Sequence, residues 1–326
     1  MIRVAVDAMG GDRAPDEVVA GALEARSSSI EPILFGPAGL DTGSLELVEA
    51  PDVISMDEKP AETVRAKPNS SLVAACRAVA EGRADAMVSA GNTGAMLAAS
   101  FLELHRLPGV ARPAIAVPLP ARRGPSVLID AGANADARPE HLLQFGHMGA
   151  IFAEEILGIP NPDVRLLSIG EEPEKGNHLT LEAHALLADS ELNFRGNAEA
   201  RDILKGAADV VVTDGFTGNV ALKLIEGTIR ELLDALREQI TATTRGKIGG
   251  MLIRPAARAL RAELDPDTYG GAYLLGLRGL VVIAHGNSGR LAIANAIRLA
   301  ARGVEKDVVG RLAERLPQRS KEPLTK

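Results

Sequence analysis

Nine short runs of Val, Ile, Leu and Ala punctuate the chain, near 2–7, 31–36, 45–49, 85–89, 114–118, 126–130, 164–169, 209–213 and 280–284, and they lack strict alternation. A strand with one wet face alternates apolar and polar residues, whereas a strand covered on both faces need not. Helical patterns over 70–81, 139–157, 180–189 and 290–303 lie between the runs. Strand and helix in alternation predict an α/β fold, doubly wound, with a mostly parallel central sheet between two helical layers. At 326 residues the expectation is a single α/β domain over 1–316. The tail 317–326 is polar, carries two Pro and has no periodicity, so it is expected to be disordered.

The interval 219–264 has no strand pattern and predicts a protruding helical hairpin. Its first arm puts Ile225, Ile229, Leu232, Leu233, Leu236 and Ile240 on one face and Glu226, Arg230, Asp234 and Glu238 on another. A connector over 241–250 is expected, and a second arm with Pro255 at a first helical position. From Arg245 to Arg261 the segment holds Arg245, Lys247, Arg254, Arg258 and Arg261 and no acid, beside Ile248, Met251, Leu252 and Ile253. On a chain of net charge -7, a local basic and apolar stretch suits an anionic bilayer surface or an acidic carrier protein. Membrane contact is the expectation for the tip, and dimer or intra-hairpin packing for the arms.

Other classes are excluded by what the chain lacks. No uncharged apolar stretch is long enough to span a bilayer, and Asp7 comes too early for a signal peptide, which predicts a cytosolic protein. The single Cys76, in Leu72-Val73-Ala74-Ala75-Cys76, reads as a small core residue. With 2% aromatics and no Trp on an acidic chain, nucleic acid is not an expected partner.

The apolar runs end in polar clusters. Asp7-Ala8-Met9-Gly10-Gly11-Asp12, Ser89-Ala90-Gly91-Asn92-Thr93-Gly94, Asp130-Ala131-Gly132-Ala133-Asn134, Thr213-Asp214-Gly215-Phe216-Thr217-Gly218-Asn219 and His285-Gly286-Asn287-Ser288 follow five of them. Gly170-Glu171-Glu172-Pro173-Glu174-Lys175-Gly176-Asn177 follows a sixth. Ligands of parallel sheets sit outside the carboxyl ends of the strands, so these loops are expected to converge on one crevice. Glycine permits close backbone approach, and strand–loop–helix junctions aim free N–H groups at an anion such as phosphate. Any one loop could instead be turn residues and caps, but six of like composition favour a site. Asp7, Asp12, Asp130, Asp136 and Asp214 offer oxygens to Mg²⁺, but the six His show no zinc-type pairing, and structural roles for these Asp are preferred. No P-loop, dinucleotide fingerprint or nucleophile elbow is present.

Seven strings in order resemble one family, the acyl-acyl-carrier-protein:phosphate acyltransferases of the PlsX type. They are Val6-Asp7-Ala8-Met9-Gly10-Gly11-Asp12, Ser89-Ala90-Gly91-Asn92-Thr93-Gly94-Ala95, Asp130-Ala131-Gly132-Ala133-Asn134, Lys175-Gly176-Asn177, Thr213-Asp214-Gly215-Phe216-Thr217-Gly218-Asn219, Tyr269-Gly270-Gly271-Ala272 and Ala284-His285-Gly286. Ser168 departs from the family, in which that loop often begins with Asn. The resemblance covers residues 2 to about 304 and implies an isopropylmalate dehydrogenase-like fold also shared with phosphotransacetylase. It implies a cofactor-free enzyme that moves a long-chain acyl group from acyl-carrier protein to inorganic phosphate, the acyl phosphate then feeding phospholipid synthesis. It further implies a homodimer held peripherally at the inner face of the plasma membrane, near a downstream glycerol-3-phosphate acyltransferase.

Under that resemblance Lys175 and Asn219 are the first candidates for catalysis, as cation and neutral donor. Asp214 is a candidate to anchor Lys175 or to act as a base, and His285 to protonate the leaving thiolate or simply to occupy a turn. Asp7, Gly10, Gly11, Asn92, Thr93, Gly94, Asp130, Asn134, Asn177, Thr217 and Gly218 are candidates for substrate binding, without a division between phosphate and thioester. A β-decarboxylating dehydrogenase, a coenzyme A-dependent phosphotransacetylase and a non-catalytic membrane scaffold are the competing readings.

Overall fold

The computed structural model describes residues 1–264 and 270–317. Tyr269 and all of the expected polar tail except Pro317 lie outside the described residues. The chain opens with β1 (Ile2–Asp7), α1 (Asp16–Ala25), β2 (Ile30–Gly36), β3 (Glu46–Glu49), α2 (Pro60–Ala66) and α3 (Ser71–Ala80). Then come β4 (Ala86–Ser89), α4 (Thr93–Glu103), β5 (Ala114–Leu119), β6 (Ser126–Ile129) and α5 (Pro139–Phe152). β7 (Val164–Ser168), α6 (His178–Ala188), β8 (Phe194–Glu199), β9 (Val210–Val212), α7 (Gly215–Thr241) and α8 (Thr244–Leu264) follow. β10 (Ala272–Leu275), β11 (Leu280–Ile283), α9 (Arg290–Glu305) and α10 (Val308–Arg315) complete the fold.

Among the described residues, eleven strands form one sheet in the order β3-β2-β1-β4-β11-β10-β5-β6-β9-β7-β8. Residues of each strand divide between two cores. Val4 and Val6 of β1, Ala86 and Val88 of β4, and Val210 and Val212 of β9 point into one core with α1, α5 and α9. Ala5, Met87 and Val211 point into the other, with α3 and α4. Burial on both faces is why these runs are apolar without alternation.

The sheet is mostly parallel, but its polarity reverses at the centre. β3, β2, β1, β4 and β11 run one way, and β6, β9, β7 and β8 run the other. Antiparallel pairs β11–β10, β10–β5 and β5–β6 join the two blocks. The carboxyl ends of the two blocks therefore face opposite ends of the sheet, which corrects the expectation of one crevice above one row of strand ends.

Several elements have little sequence signal. β10 is four residues between glycines, and β8, Phe194-Arg195-Gly196-Asn197-Ala198-Glu199, is an edge strand with a polar sequence. α1 and α4 were hidden because their first turns continue Gly-rich loops, and α2 and α10 are only seven and eight residues long. The expected connector 241–250 is largely helix: α8 begins at Thr244, with Thr243 Oγ1 accepting the Gly246 N–H at 3.0 Å. Gly246 is a contact residue, since a Cβ there would lie 2.1 Å from the Ile240 carbonyl oxygen. Pro255 lies inside α8 and not at its start, on a helix with no buried residue, where neighbouring side chains do not oppose a local bend.

Candidate active site

On the face of the second core, beside α4, a cleft of about 380 Å³ opens over the strip β5–β10–β11. Ile115, Val117 and Leu119, successive residues on one face of β5, form its floor with Ala272 and Ile283. Two residues of strand advance about 6.5–7 Å, so these three side chains span roughly 13 Å. Gly91 and Thr93 from the β4 loop, and Ala284, His285 and Gly286 from the β11 loop, line it. Ala131 and Gly132 after β6, and Asn219, Leu222 and Lys223 of α7, line it from the other block. The reversal of the sheet thus brings two sets of strand-end loops to one floor.

Most of the predicted polar residues hold these loops in shape. Asp7 is 3% exposed and accepts from Ser89 Oγ at 2.7 Å and from the Met9 N–H at 3.3 Å. Ser89 Oγ in turn accepts the Gly91 N–H at 2.9 Å. Asp130 is fully buried and accepts the N–H groups of Ile115, Gly132, Ala133 and Asn134 at 2.8–3.2 Å, as well as Asn134 Nδ2 at 2.8 Å. Burial raises both carboxyls above the usual range, against these lowering hydrogen bonds. Asp7, Asp130 and Asn134 were placed against substrate by the sequence reading. None of the three lines the cleft, and the carboxylates of Asp7 and Asp130 are engaged beneath the loops, because sharp turns leave N–H groups that need buried acceptors.

Three more candidates are caps. Asn92 accepts the Ala95 N–H at 3.0 Å and donates to the Met56 carbonyl at 2.8 Å, clamping the start of α4 to the 56–58 loop. Asn177 accepts the Thr180 N–H at 2.9 Å at the start of α6. Asp214 accepts the Thr217 N–H at 2.9 Å and makes no ion pair with Lys175. Gly10 and Gly11 pack against Ser89, Ala90 and Gly286 under the cleft, and Gly94 packs against Pro60. Gly218 is wedged on Asp130, where a Cβ would come within 2.0 Å of the carbonyl oxygen. No group of three or more His, Cys, Asp or Glu close enough to hold a metal exists among the described residues.

Free polar groups remain in the cleft. Asn219 is exposed beside Gly132 and its amide is unengaged among the described residues. Thr93 opens α4, so the N-terminus of that helix with its partial positive charge faces this space, and Asn219 joins it from the second turn of α7. Lys223 Nζ bonds Glu226 Oε2 at 3.0 Å, and Glu226 Oε1 lies 3.4 Å from His285 Nε2. Lys223 and Glu226 were missed in the sequence, yet Asn219, Leu222, Lys223 and Glu226 follow the i, i+3, i+4, i+7 spacing of one helix face. A helix face counted from Ile225 cuts that pattern in two.

Lys175 stands elsewhere. It is exposed in the loop after β7, does not line the cleft, and its ammonium pairs with no carboxylate among the described residues. Its carbonyl accepts Ser168 Oγ at 2.8 Å, so the serine that departs from the family pattern pins this loop. Thr217 is exposed on the first turn of α7 but outside the cleft lining. On α8, Ile248, Met251, Leu252 and Ile253 are 55, 66, 79 and 49% exposed. No helix among the described residues is long and apolar enough to cross a membrane.

A family model described as fatty acid synthesis protein matches residues 2–311. The chain is 47% identical to a phosphate acyltransferase of Heliobacterium modesticaldum over 97% of this chain and 98% of that protein. It is 49% identical to a phosphate acyltransferase of Desulfitobacterium hafniense over 98% of both. Among solved structures, a phosphotransacetylase from Streptococcus pyogenes superposes with a TM-score of 0.63 at 17% identity, covering 93% of this chain and 94% of that one. A branched-chain phosphotransacylase from Enterococcus faecalis gives 0.60 at 17% identity, over 93% and 99%. At such identities the likeness is one of fold.

Two predictions concern the loop scaffold. Gly218→Ala forces the α7 start off Asp130 and should cost about 1–3 kcal/mol in urea unfolding, the range of an overpacked site. Asp7, lifted by burial above its ordinary 3.8, holds its proton more tightly in the native state than in the unfolded chain. Its favourable contribution is complete below that value and fades as pH rises towards the native one. Between about pH 4 and 7 the urea midpoint of the wild type should therefore fall relative to that of Asp7→Asn; parallel curves would show that Asp7 does not titrate in this window.

Proposed function

The chain belongs to the fatty acid synthesis protein family, the PlsX-type phosphate acyltransferases, and from that membership we infer its reaction. It is an acyltransferase that moves a fatty acyl group from acyl-carrier protein to inorganic phosphate, supplying acyl phosphate for phospholipid synthesis. The observation that best supports a site for this reaction is the cleft itself. An apolar floor suited to an acyl thioester lies under the N-terminus of α4, a free amide and an ammonium suited to phosphate.

A phosphate oxygen attacks the thioester carbonyl, forming the C–O bond and a tetrahedral oxyanion. The intermediate collapses as the C–S bond breaks, with its electron pair leaving on sulfur. Phosphate is already nucleophilic near neutral pH, so the enzyme's tasks are to hold the reactants together and to stabilise the oxyanion. Asn219 donates to the oxyanion or to phosphate, and Lys223 supplies resident positive charge. Lys175, exposed on the loop after β7, is proposed as a second cation for the phosphate. His285, whose Nε2 lies 3.4 Å from Glu226 Oε1, protonates the departing thiolate.

The isopropylmalate dehydrogenase-like naming of the fold, the single domain and the α7–α8 hairpin as a unit belong to the same reading. So do the homodimer and the cytoplasmic enzyme resting peripherally on the inner face of the plasma membrane, beside the downstream acyltransferase. The exposed Ile248, Met251, Leu252 and Ile253 with their basic neighbours support the membrane contact.

The test is phosphate-dependent release of free carrier protein from palmitoyl-acyl-carrier protein, with hydroxylamine trapping the acyl phosphate. Wild type should release carrier and yield the hydroxamate; no release, with turnover of a coenzyme A thioester instead, would favour a phosphotransacetylase. Asn219→Ala and Lys175→Ala should each lower kcat by about a hundred- to a thousandfold, the usual effect of losing an oxyanion donor, with the fold intact. Near-wild-type rates in both would overturn these assignments. Separately, Ile248→Glu with Leu252→Glu should abolish flotation with anionic liposomes and spare activity on soluble substrate, whereas undiminished flotation would return α8 to protein packing.

A further inference from the structure

A second groove, of about 410 Å³, adjoins the cleft between α2 and α4. Phe101 and Leu102, each 45% exposed, lie on its α4 side, and Arg65 and Arg112 stand on its rim. Asp and Glu are absent from its lining. Neither arginine has an ion-pair partner among the described residues. Arg106 sits with its guanidinium 5.4 Å from the Phe101 ring centroid, tethered to the Val110 and Ala111 carbonyls. Three guanidinium groups thus surround an exposed apolar spot on a chain whose net charge is -7.

The groove and the cleft share their walls. Gly94, Ala133 and Asn134 line the groove, and their neighbours Thr93 and Gly132 line the cleft. We propose that this groove is the docking surface for the acidic body of the acyl-carrier protein, a proposal that rests on the donor assigned above. Arg65, Arg106 and Arg112 face its carboxylates, and Phe101 and Leu102 meet its apolar surface. A carrier seated there delivers its thioester arm across the 93–94 and 132–134 loops onto the β5 floor. The basic stretch of α8 offers charge of the same sign, but no α8 residue lines the cleft.

The experiment measures steady-state kinetics of the full chain on palmitoyl-acyl-carrier protein for wild type, Arg65→Glu with Arg112→Glu, and Arg65→Gln with Arg112→Gln. The Glu pair should raise KM for the acyl carrier about tenfold or more and leave kcat and the phosphate KM within about twofold, as expected when interfacial charges are reversed. The Gln pair should give a smaller rise in the same direction, and reads the charge effect should the Glu pair fail to fold. Added salt should raise KM for wild type and change it less for the Glu pair. Arg83→Glu, the same change in the turn before β4 at the far end of that strand, should leave KM unaltered. Unchanged KM in both pairs, with wild type active, would overturn the docking surface. So would a shift in sedimentation from dimer to monomer in the pairs, which would assign the face to a second copy. An inactive wild type would instead overturn the donor assignment.

Discussion

Everything in this structure follows from burying one sheet on both faces while reversing its direction in the middle. Two parallel blocks can be covered by helices as in any doubly wound fold. Where they meet, β5 and β10 are antiparallel to their neighbours on each side, and on one face the cleft lies over them. The floor of the cleft is apolar because Ile115, Val117 and Ile283 belong to the core face that elsewhere packs beneath α3 and α4. The cleft thus lies where the winding changes hands, and the loops of both blocks border it.

That arrangement divides labour among residues that look alike in sequence. Asp7, Asp130 and Asn134 are buried and hold backbone N–H groups or one another, and Asn92, Asn177 and Asp214 cap helices. Thr93, one residue after the Asn92 cap, and Asn219, five residues after the Asp214 cap, stay at the surface of the cleft. A tight Gly-rich loop consumes several side chains to expose a few. The polar content of the loops therefore marks where a site is better than which residues face a ligand.

The same physics explains what could be read beforehand. The strands with long apolar runs were legible because burial on both faces leaves a composition signal that survives without alignment. β8 and β10 were not, one being a polar edge strand and the other four residues between glycines. The polarity of the sheet was also out of reach, since a buried run reads the same in either direction, and its reversal decides where the loops meet. Lys223 and Glu226 were within reach by helical spacing from Asn219, but assigning Asn219 to a loop hid the helix face to which they belong. The family resemblance located the strings correctly and left the distinction between scaffold and surface to geometry.

α7 has a mechanical consequence of its own. It is 27 residues long, about 40 Å at the usual helical rise, and only Gly215, Gly218 and Leu222 in it are buried. Its anchored end carries Asn219 and Lys223, while its later turns hold no buried residue and lie against α8. A rod fixed at one end is a lever: whatever load its free end bears is transmitted as torque to the turn wedged on Asp130. A displacement of about 2 Å at the far end corresponds to about 3° at the base for a rod of this length. The amide and ammonium of the cleft thus ride on the fulcrum, where angular motion yields the least travel, and the scaffold beneath them doubles as the bearing.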